Sequence, residues 1–159
     1  MTASDTVGSL LERLSAFLRY GDRSEEEVQG WLEEIDEHAQ PSDLPRLFAI
    51  LDDDDTSGVL WDVLYIAESM DDDYLRALLD QLPALWARAP QWAITAVLRI
   101  LNTAGDEEDC VAEFLALART TPASHTALHE IAAQLEEDRD LVQDEQRAAL
   151  RDLLAALHV

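Results

Sequence analysis

The sequence predicts an all-α protein, a single domain of about nine helices over residues 1–159. Apolar residues recur at spacings of three and four from end to end, which is the period of an amphipathic helix. No stretch of β-branched residues alternates with polar ones as a strand requires. The predicted connections of about two to seven residues are of the length that antiparallel helix pairs need.

Length and charge limit the possible partners. A chain of 159 residues buries about two thirds of its unfolded surface on folding, so no metal or disulfide is needed to complete a core.

Thirty-four acidic residues against eleven basic ones give a net charge of −23. This charge repels phosphate backbones and anionic lipids, whose neutralisation takes clustered Lys and Arg. We expect a basic protein as partner, no binding to nucleic acid or membrane, and a monomer or weak dimer.

The sequence also predicts the cellular compartment of the protein. The N-terminal segment has neither the basic nor the uninterrupted apolar region of a signal peptide, and no segment approaches the roughly 18 apolar residues of a membrane span. Cys110 is the only cysteine and is interpreted as a reduced, packed thiol in a helix. These features favour the cytoplasm.

Two helices in residues 1–40 are expected to cap the N-terminal end of the domain. The first covers residues 5–19 and ends at Gly21, a typical C-terminal stop. Ser24 opens the second with a Ser-x-x-Glu capping box. The carboxylates of residues 25–27 then oppose the positive end of the helix macrodipole.

Residues 43–137 are expected to form three degenerate helix pairs, followed by a C-terminal cap helix in residues 143–159. Residues 60–69, 92–102 and 126–135 have similar sequences and recur at intervals of roughly 32 to 34 residues. Such a repeat is typical of an α-solenoid. A short HEAT-like stack and an irregular helical bundle both fit. A break or kink is expected at Pro83. The predicted helices cover residues 43–51, 56–69, 71–86, 92–102, 106–119, 124–136 and 143–157.

Helical-wheel angles leave a polar or aromatic stripe beside the core positions of three helices. If these helices are the inner members of their pairs, the stripes lie side by side on a concave face, where solenoids bind partners. The alternative is that Trp61 and Tyr65 pack against neighbouring helices and that Glu68 pairs with Arg99. The stripe residues are Trp61, Tyr65 and Glu68 on the fourth helix, Thr95, Arg99 and Asn102 on the sixth, and His125, His129 and Glu136 on the eighth.

Two acidic runs are further candidates for partner binding. The first resembles half of a calcium-binding EF-hand loop, with Asp53 at position one and Gly58 at position six. Position twelve needs a bidentate glutamate and is Leu64, so an acidic interhelix loop that also caps the fourth helix explains the run without a metal. The two runs are Asp52, Asp53, Asp54 and Asp55, and Asp71, Asp72 and Asp73.

The sequence gives no support for catalysis or for a cofactor. His125 and His129 lie one helical turn apart, but no third metal ligand is spaced to help them. None of the five glycines lies in a phosphate-binding loop, and no Ser/His/Asp arrangement is visible. We expect no metal, no cofactor and no enzymatic activity.

The middle of the chain carries a set of motifs that belong together. They are Trp61, Tyr65, Glu68 with Ser69, Tyr74 with Leu75, Pro90 with Trp92, and Arg99 through Asn102. In these motifs residues 60–102 resemble bacterial immunity proteins of polymorphic-toxin systems, specifically the immunity protein 30 family. Tyr65 stands where that pattern has an aromatic residue or a histidine. The resemblance implies a helical protein that neutralises a cognate toxin domain by stoichiometric binding.

The charge and the resemblance point to the same class of function. A toxin that acts on nucleic acid or nucleotides usually has a basic cleft, which an acidic partner reaches quickly through electrostatic steering. The alternative is an acidic helical scaffold or adaptor, or a nucleic-acid mimic that binds a basic protein. Gene neighbourhood separates the two, because an immunity gene directly follows a large toxin gene.

Overall fold

The computed structural model describes residues 3–138 and 140–158, and this part of the chain is all-α. It is 77% helical, with nine α-helices and no strand among the described residues, so the predicted fold class is confirmed. Residues 1, 2, 139 and 159, which the predicted domain ranges include, lie outside the described residues. The helices are α1 (Ala3–Tyr20), α2 (Glu25–His38), α3 (Leu44–Ile50), α4 (Val59–Glu68), α5 (Asp72–Arg88), α6 (Pro90–Leu101), α7 (Val111–Arg119), α8 (His125–Glu137) and α9 (Asp144–Leu157).

The chain forms two compact units, residues 1–77 and residues 78–159, and the boundary between them falls inside α5. The predicted division into N-terminal caps, three helix pairs and a C-terminal cap stays a prediction. None of the described helices combines the length and the apolarity that crossing a membrane would require.

The core of the first unit lies among α1, α2, α3 and α4. α1 packs against α2 and α3, and α4 packs against the same two helices. The ring of Tyr74 stacks on Phe48 with the ring centroids 5.9 Å apart. The core side chains include Val7, Leu10, Leu14, Leu32, Ile35, Leu47, Phe48, Leu60 and Leu64.

Side-chain hydrogen bonds cap the start of α2 and the start of the 3-10 turn that precedes α3. The Ser24 hydroxyl accepts a hydrogen bond from the Glu27 amide at 3.3 Å, which is one of the two hydrogen bonds of the predicted capping box. Before α3 the chain forms a 3-10 turn over Pro41–Asp43, so the α-helix begins one residue later than predicted. Asp43 is 1% exposed, and its carboxylate accepts from the Gln40 amide at 2.9 Å.

The second unit packs α6 against α7, α8 and α9, while α9 also contacts α7 and α8. The indole nitrogen of Trp86 donates a hydrogen bond to the Glu130 carboxylate, which joins α5 to α8. The core side chains include Leu82, Leu85, Val97, Leu101, Phe114, Leu128, Ile131, Leu150 and Leu153.

α5 continues through Pro83 to Arg88, so the helix does not break there, and the kink that was predicted as the alternative stays a prediction. Proline removes one backbone hydrogen bond from a helix and crowds the preceding turn. Pro83 itself is exposed, whereas Leu82 and Leu85 on either side of it are almost fully buried. The packing of these leucines outweighs the lost hydrogen bond.

α7 begins at Val111 and not at Asp106 as predicted, because residues 102–110 form a loop with its own hydrogen bonds. Gly105 adopts a positive φ of 84°, which favours glycine. The carboxylate of Asp109 accepts from the amides of Gly105 at 3.0 Å and Val111 at 2.9 Å. These two hydrogen bonds lower the pKa of Asp109 below its ordinary value of 3.8.

Cys110 therefore stands at the end of this loop and not inside a helix. Its thiol is half-buried, and its amide donates to the Thr103 hydroxyl at 3.1 Å. The loop replaces the first helical turns that the apolar periodicity had suggested.

Candidate functional site

α4 separates a buried face from an exposed aromatic face. Of the five residues that the helical wheel places on the core side, Leu60, Val63, Leu64 and Ala67 are buried, whereas Met70 lies beyond the end of the helix and is half-buried. Trp61 is 40% exposed and Tyr65 is 50% exposed, with ring centroids 6.2 Å apart and an angle of 36° between the ring planes. Glu68, one turn further on, is half-buried. The structure thus brings the three predicted residues of the α4 stripe together along one line.

The start of α4 is fixed by turn chemistry, which delays it by three residues from the predicted Thr56. Asp55 accepts hydrogen bonds from both the amide and the hydroxyl of Ser57, at 3.2 and 2.9 Å. Gly58 follows with a left-handed φ of 83° and is the N-cap residue of the helix. This turn fixes the first residue of α4 and therefore the direction in which Trp61 and Tyr65 project from the helix.

The acidic run before α4 does not form a cation cage. The Asp52 carboxylate accepts from the amide of Asp54 at 3.0 Å, and that of Asp55 is engaged by Ser57. Such side-chain-to-backbone hydrogen bonds are typical of turn-forming aspartates. Across the part of the chain that is described, no three His, Cys, Asp or Glu side chains come together to hold a metal. The absence of metal binding stays a prediction.

The second acidic run joins α4 to α5. Asp71, Asp72 and Asp73 are all exposed, and the last two lie in the first turn of α5, where carboxylates stabilise the helix N-terminus. Asp71 has a positive φ of 50°, a conformation that Asp and Asn tolerate better than most residues.

α4 and its two flanking runs form one continuous acidic segment. Residues 52–73 contain nine aspartates and glutamates and no Lys, Arg or His. A helix of ten residues is about 15 Å long, so the two acidic runs stand at opposite ends of a short helix that carries the aromatic pair. We call residues 52–73 the acidic α4 segment.

The other predicted site residues belong to the second unit. Arg99 on α6 and His129 on α8 are half-buried, and Asn102 after α6 is exposed. α6 and α8 pack against each other, but the predicted concave face, which would also include α4, stays a prediction. The predicted pairing of Glu68 with Arg99 stays a prediction too.

The two histidines of the α8 stripe have different surroundings. The ring of His125 makes a 2.8 Å hydrogen bond with the carbonyl of Ala118, which suits a structural histidine. The ring of His129 lies 5.2 Å from that of His158, centroid to centroid. His158 did not figure among the predicted site residues, since no local motif links positions 29 residues apart.

Comparison of the sequence with models of known protein families gives a match that covers this site. The family model described as Immunity protein 30 matches residues 17–109, which are 93 of the 159 residues and include the whole acidic α4 segment. No curated protein and no solved structure matches the chain.

Proposed function

Because the chain belongs to the immunity protein 30 family, whose function is immunity against toxins, we propose that it neutralises one cognate toxin domain by stoichiometric binding. The proposed binding surface is the acidic α4 segment. Trp61, Tyr65 and Glu68 form its centre, and the carboxylates of Asp52–Asp55 and Asp71–Asp73 form its two ends.

One observation carries this proposal: an exposed aromatic pair lies within a segment of nine carboxylates and no cation. Protein interfaces concentrate their binding energy in a few aromatic or charged residues surrounded by a polar rim. The acidic α4 segment has this composition. Arg99, Asn102 and His129 remain candidates for additional contacts.

The charge supports a basic toxin domain as the partner. A net charge of −23 attracts a positively charged protein over a longer range than the contacts themselves and raises the association rate. The same charge opposes nucleic acid as a ligand and supports a monomer or weak dimer. Inhibition by binding needs no turnover and no cofactor, because an immunity protein need only cover or distort its toxin.

We place this action in the cytoplasm. The chain has a single cysteine, Cys110, and so cannot form an internal disulfide of the kind that secreted small domains use.

Co-expression with the toxin domain encoded beside the gene tests the proposal. We expect growth to be restored and a one-to-one complex to be found by size-exclusion chromatography with light scattering. An unrelated toxin domain from another locus is the control and should remain toxic. If the neighbouring toxin neither binds nor is neutralised, the proposal is wrong, and an acidic adaptor or nucleic-acid mimic becomes the better explanation.

A further inference from the structure

A pocket between α8 and α9 is lined by more positive than negative side chains, unlike the chain as a whole. It has a volume of about 300 Å³ and is lined by Leu135, Glu136, Arg147, Leu150 and Arg151. The two leucines are buried and supply its apolar part. Two guanidinium groups against one carboxylate give this pocket a net positive charge in a chain whose net charge is −23.

Backbone carbonyl groups accept a hydrogen bond from each of the two arginines. The Nε–H of Arg147 donates to the carbonyl of Val142 at 3.2 Å, and the Nε–H of Arg151 donates to the carbonyl of Arg147 at 3.4 Å. These bonds leave the terminal nitrogens of both guanidinium groups available. Neither arginine forms an ion pair with a carboxylate of the described residues.

The spacing of the two arginines is unfavourable without a ligand. They lie four residues apart on α9, where like charges repel each other across one helical turn. An oxyanion between them would remove this repulsion. Planar guanidinium groups bind carboxylates through paired, charge-assisted hydrogen bonds.

The net charge decides which oxyanion can reach the pocket. Free anions are repelled by the field of the whole protein, whereas a carboxylate carried on a positively charged protein is brought in by the attraction of that protein. We propose that the α8–α9 pocket receives an Asp or Glu side chain of the toxin domain, in addition to the contacts of the acidic α4 segment. This inference rests on the proposed function. The pocket lies after residue 109, outside the part that the family model matches.

The test measures binding kinetics with the toxin domain encoded beside the gene. Arg147→Gln with Arg151→Gln should weaken binding about tenfold, mainly through faster dissociation, because each lost hydrogen bond involves a charged group. Arg76→Gln with Arg119→Gln removes two exposed arginines outside the pocket, and so the same total charge, and is the matched control. Wild-type affinity in the double variant overturns the inference and leaves the proposed function intact, whereas a wild-type chain that fails to bind overturns both.

A second variant covers the case in which the glutamine pair does not fold. Arg147→Lys with Arg151→Lys keeps both charges but loses the planar donors, and we expect about fivefold weaker binding. Wild-type affinity in this variant would show that the guanidinium groups do not bind a carboxylate through paired hydrogen bonds, and would overturn that part of the inference.

Inorganic phosphate distinguishes a free anion from a carried carboxylate. Nitrogen NMR signals of the Arg147 and Arg151 side chains should stay unchanged up to about 20 mM phosphate at constant ionic strength. A saturable shift of both signals would show that free anions enter the pocket and would overturn the assignment to a protein carboxylate.

Discussion

The rings of Trp61 and Tyr65 lie one helical turn apart on α4 with their centroids 6.2 Å apart. Large aromatic side chains offer much contact area and have few rotatable bonds, so ordering them costs little entropy on binding. Both rings remain 40–50% exposed although the buried face of the same helix lies in the core. This pair is therefore the part of the acidic α4 segment best suited to anchor a partner.

Replacing Trp61 and Tyr65 by alanine should weaken toxin binding by about 2 kcal/mol or more, since interface aromatics are common energetic anchors. Calorimetric titration with the toxin domain measures the change. Tyr20→Ala is the matched control, because Tyr20 is 75% exposed and lies on α1. If the alanine pair is folded and binds as tightly as the wild type, α4 is not the binding surface.

Neutralising Asp71, Asp72 and Asp73 to asparagine should slow association with the toxin several-fold at low salt. Peripheral charges act mainly on the association rate, and the Debye length falls from about 30 Å at 0.01 M to about 3 Å at 1 M ionic strength. The difference from the wild type should therefore vanish in high salt. Stopped-flow mixing at several salt concentrations checks this.

An equal charge change elsewhere gives the control for this experiment. Glu33, Glu34 and Glu37 are exposed on α2, and their replacement by glutamine removes the same three charges. An equal effect from the α2 triple variant would show that only the total charge matters.

Asp43→Ala should lower the free energy of unfolding by about 2 kcal/mol. The substitution leaves the Gln40 amide without the carboxylate that accepts its hydrogen bond, and removes a side chain that is only 1% exposed. Urea denaturation followed by circular dichroism gives the value. Asp36→Ala removes the same charge from an exposed position of α2 and should change stability little. A loss no larger than that of Asp36→Ala would contradict the structural role of Asp43.

Asp109→Asn should lower stability at neutral pH, and the difference from the wild type should shrink in acid. The pKa of Asp109 is below 3.8 in the folded protein, because the amides of Gly105 and Val111 donate to the ionised carboxylate. A lowered pKa means that this contribution is present above the unfolded value and is lost as the pH falls through the folded value. The site is exposed, so the effect should be well under about 1 kcal/mol.

Denaturant midpoints of the wild type and Asp109→Asn between pH 7 and pH 2 measure this effect, since the two chains differ only at residue 109. A constant difference across that range would contradict the ionic role of Asp109.

The sequence predicted features that depend on local periodicity. The spacing of apolar residues on α4 was enough to assign Leu60 and Leu64 to the core and Trp61 to a different face. The starts of α4 and α7 were misplaced because turns at Gly58 and Gly105, reinforced by aspartate side chains, compete with helix formation.

Features that depend on tertiary packing could not be predicted from spacing. The break expected at Pro83 assumed that the loss of one hydrogen bond decides the outcome, but neighbouring leucines are buried. The contact of His129 with His158 and the pocket around Arg147 both require α9 to lie against α8, which no local pattern shows.

Gly58 before α4 and Asp71 after it both have positive φ angles, so the helical conformation is interrupted on both sides of α4. Between these two residues, the inward positions maintain the fold, and the outward positions Trp61, Asp62 and Tyr65 are exposed. The core residues of the helix lie on the other face, so we expect substitutions at the outward positions to leave them in place. If this surface binds the toxin as proposed, its outward residues can therefore change one at a time in response to a changed toxin, while the turns at the ends of α4 keep the helix in register.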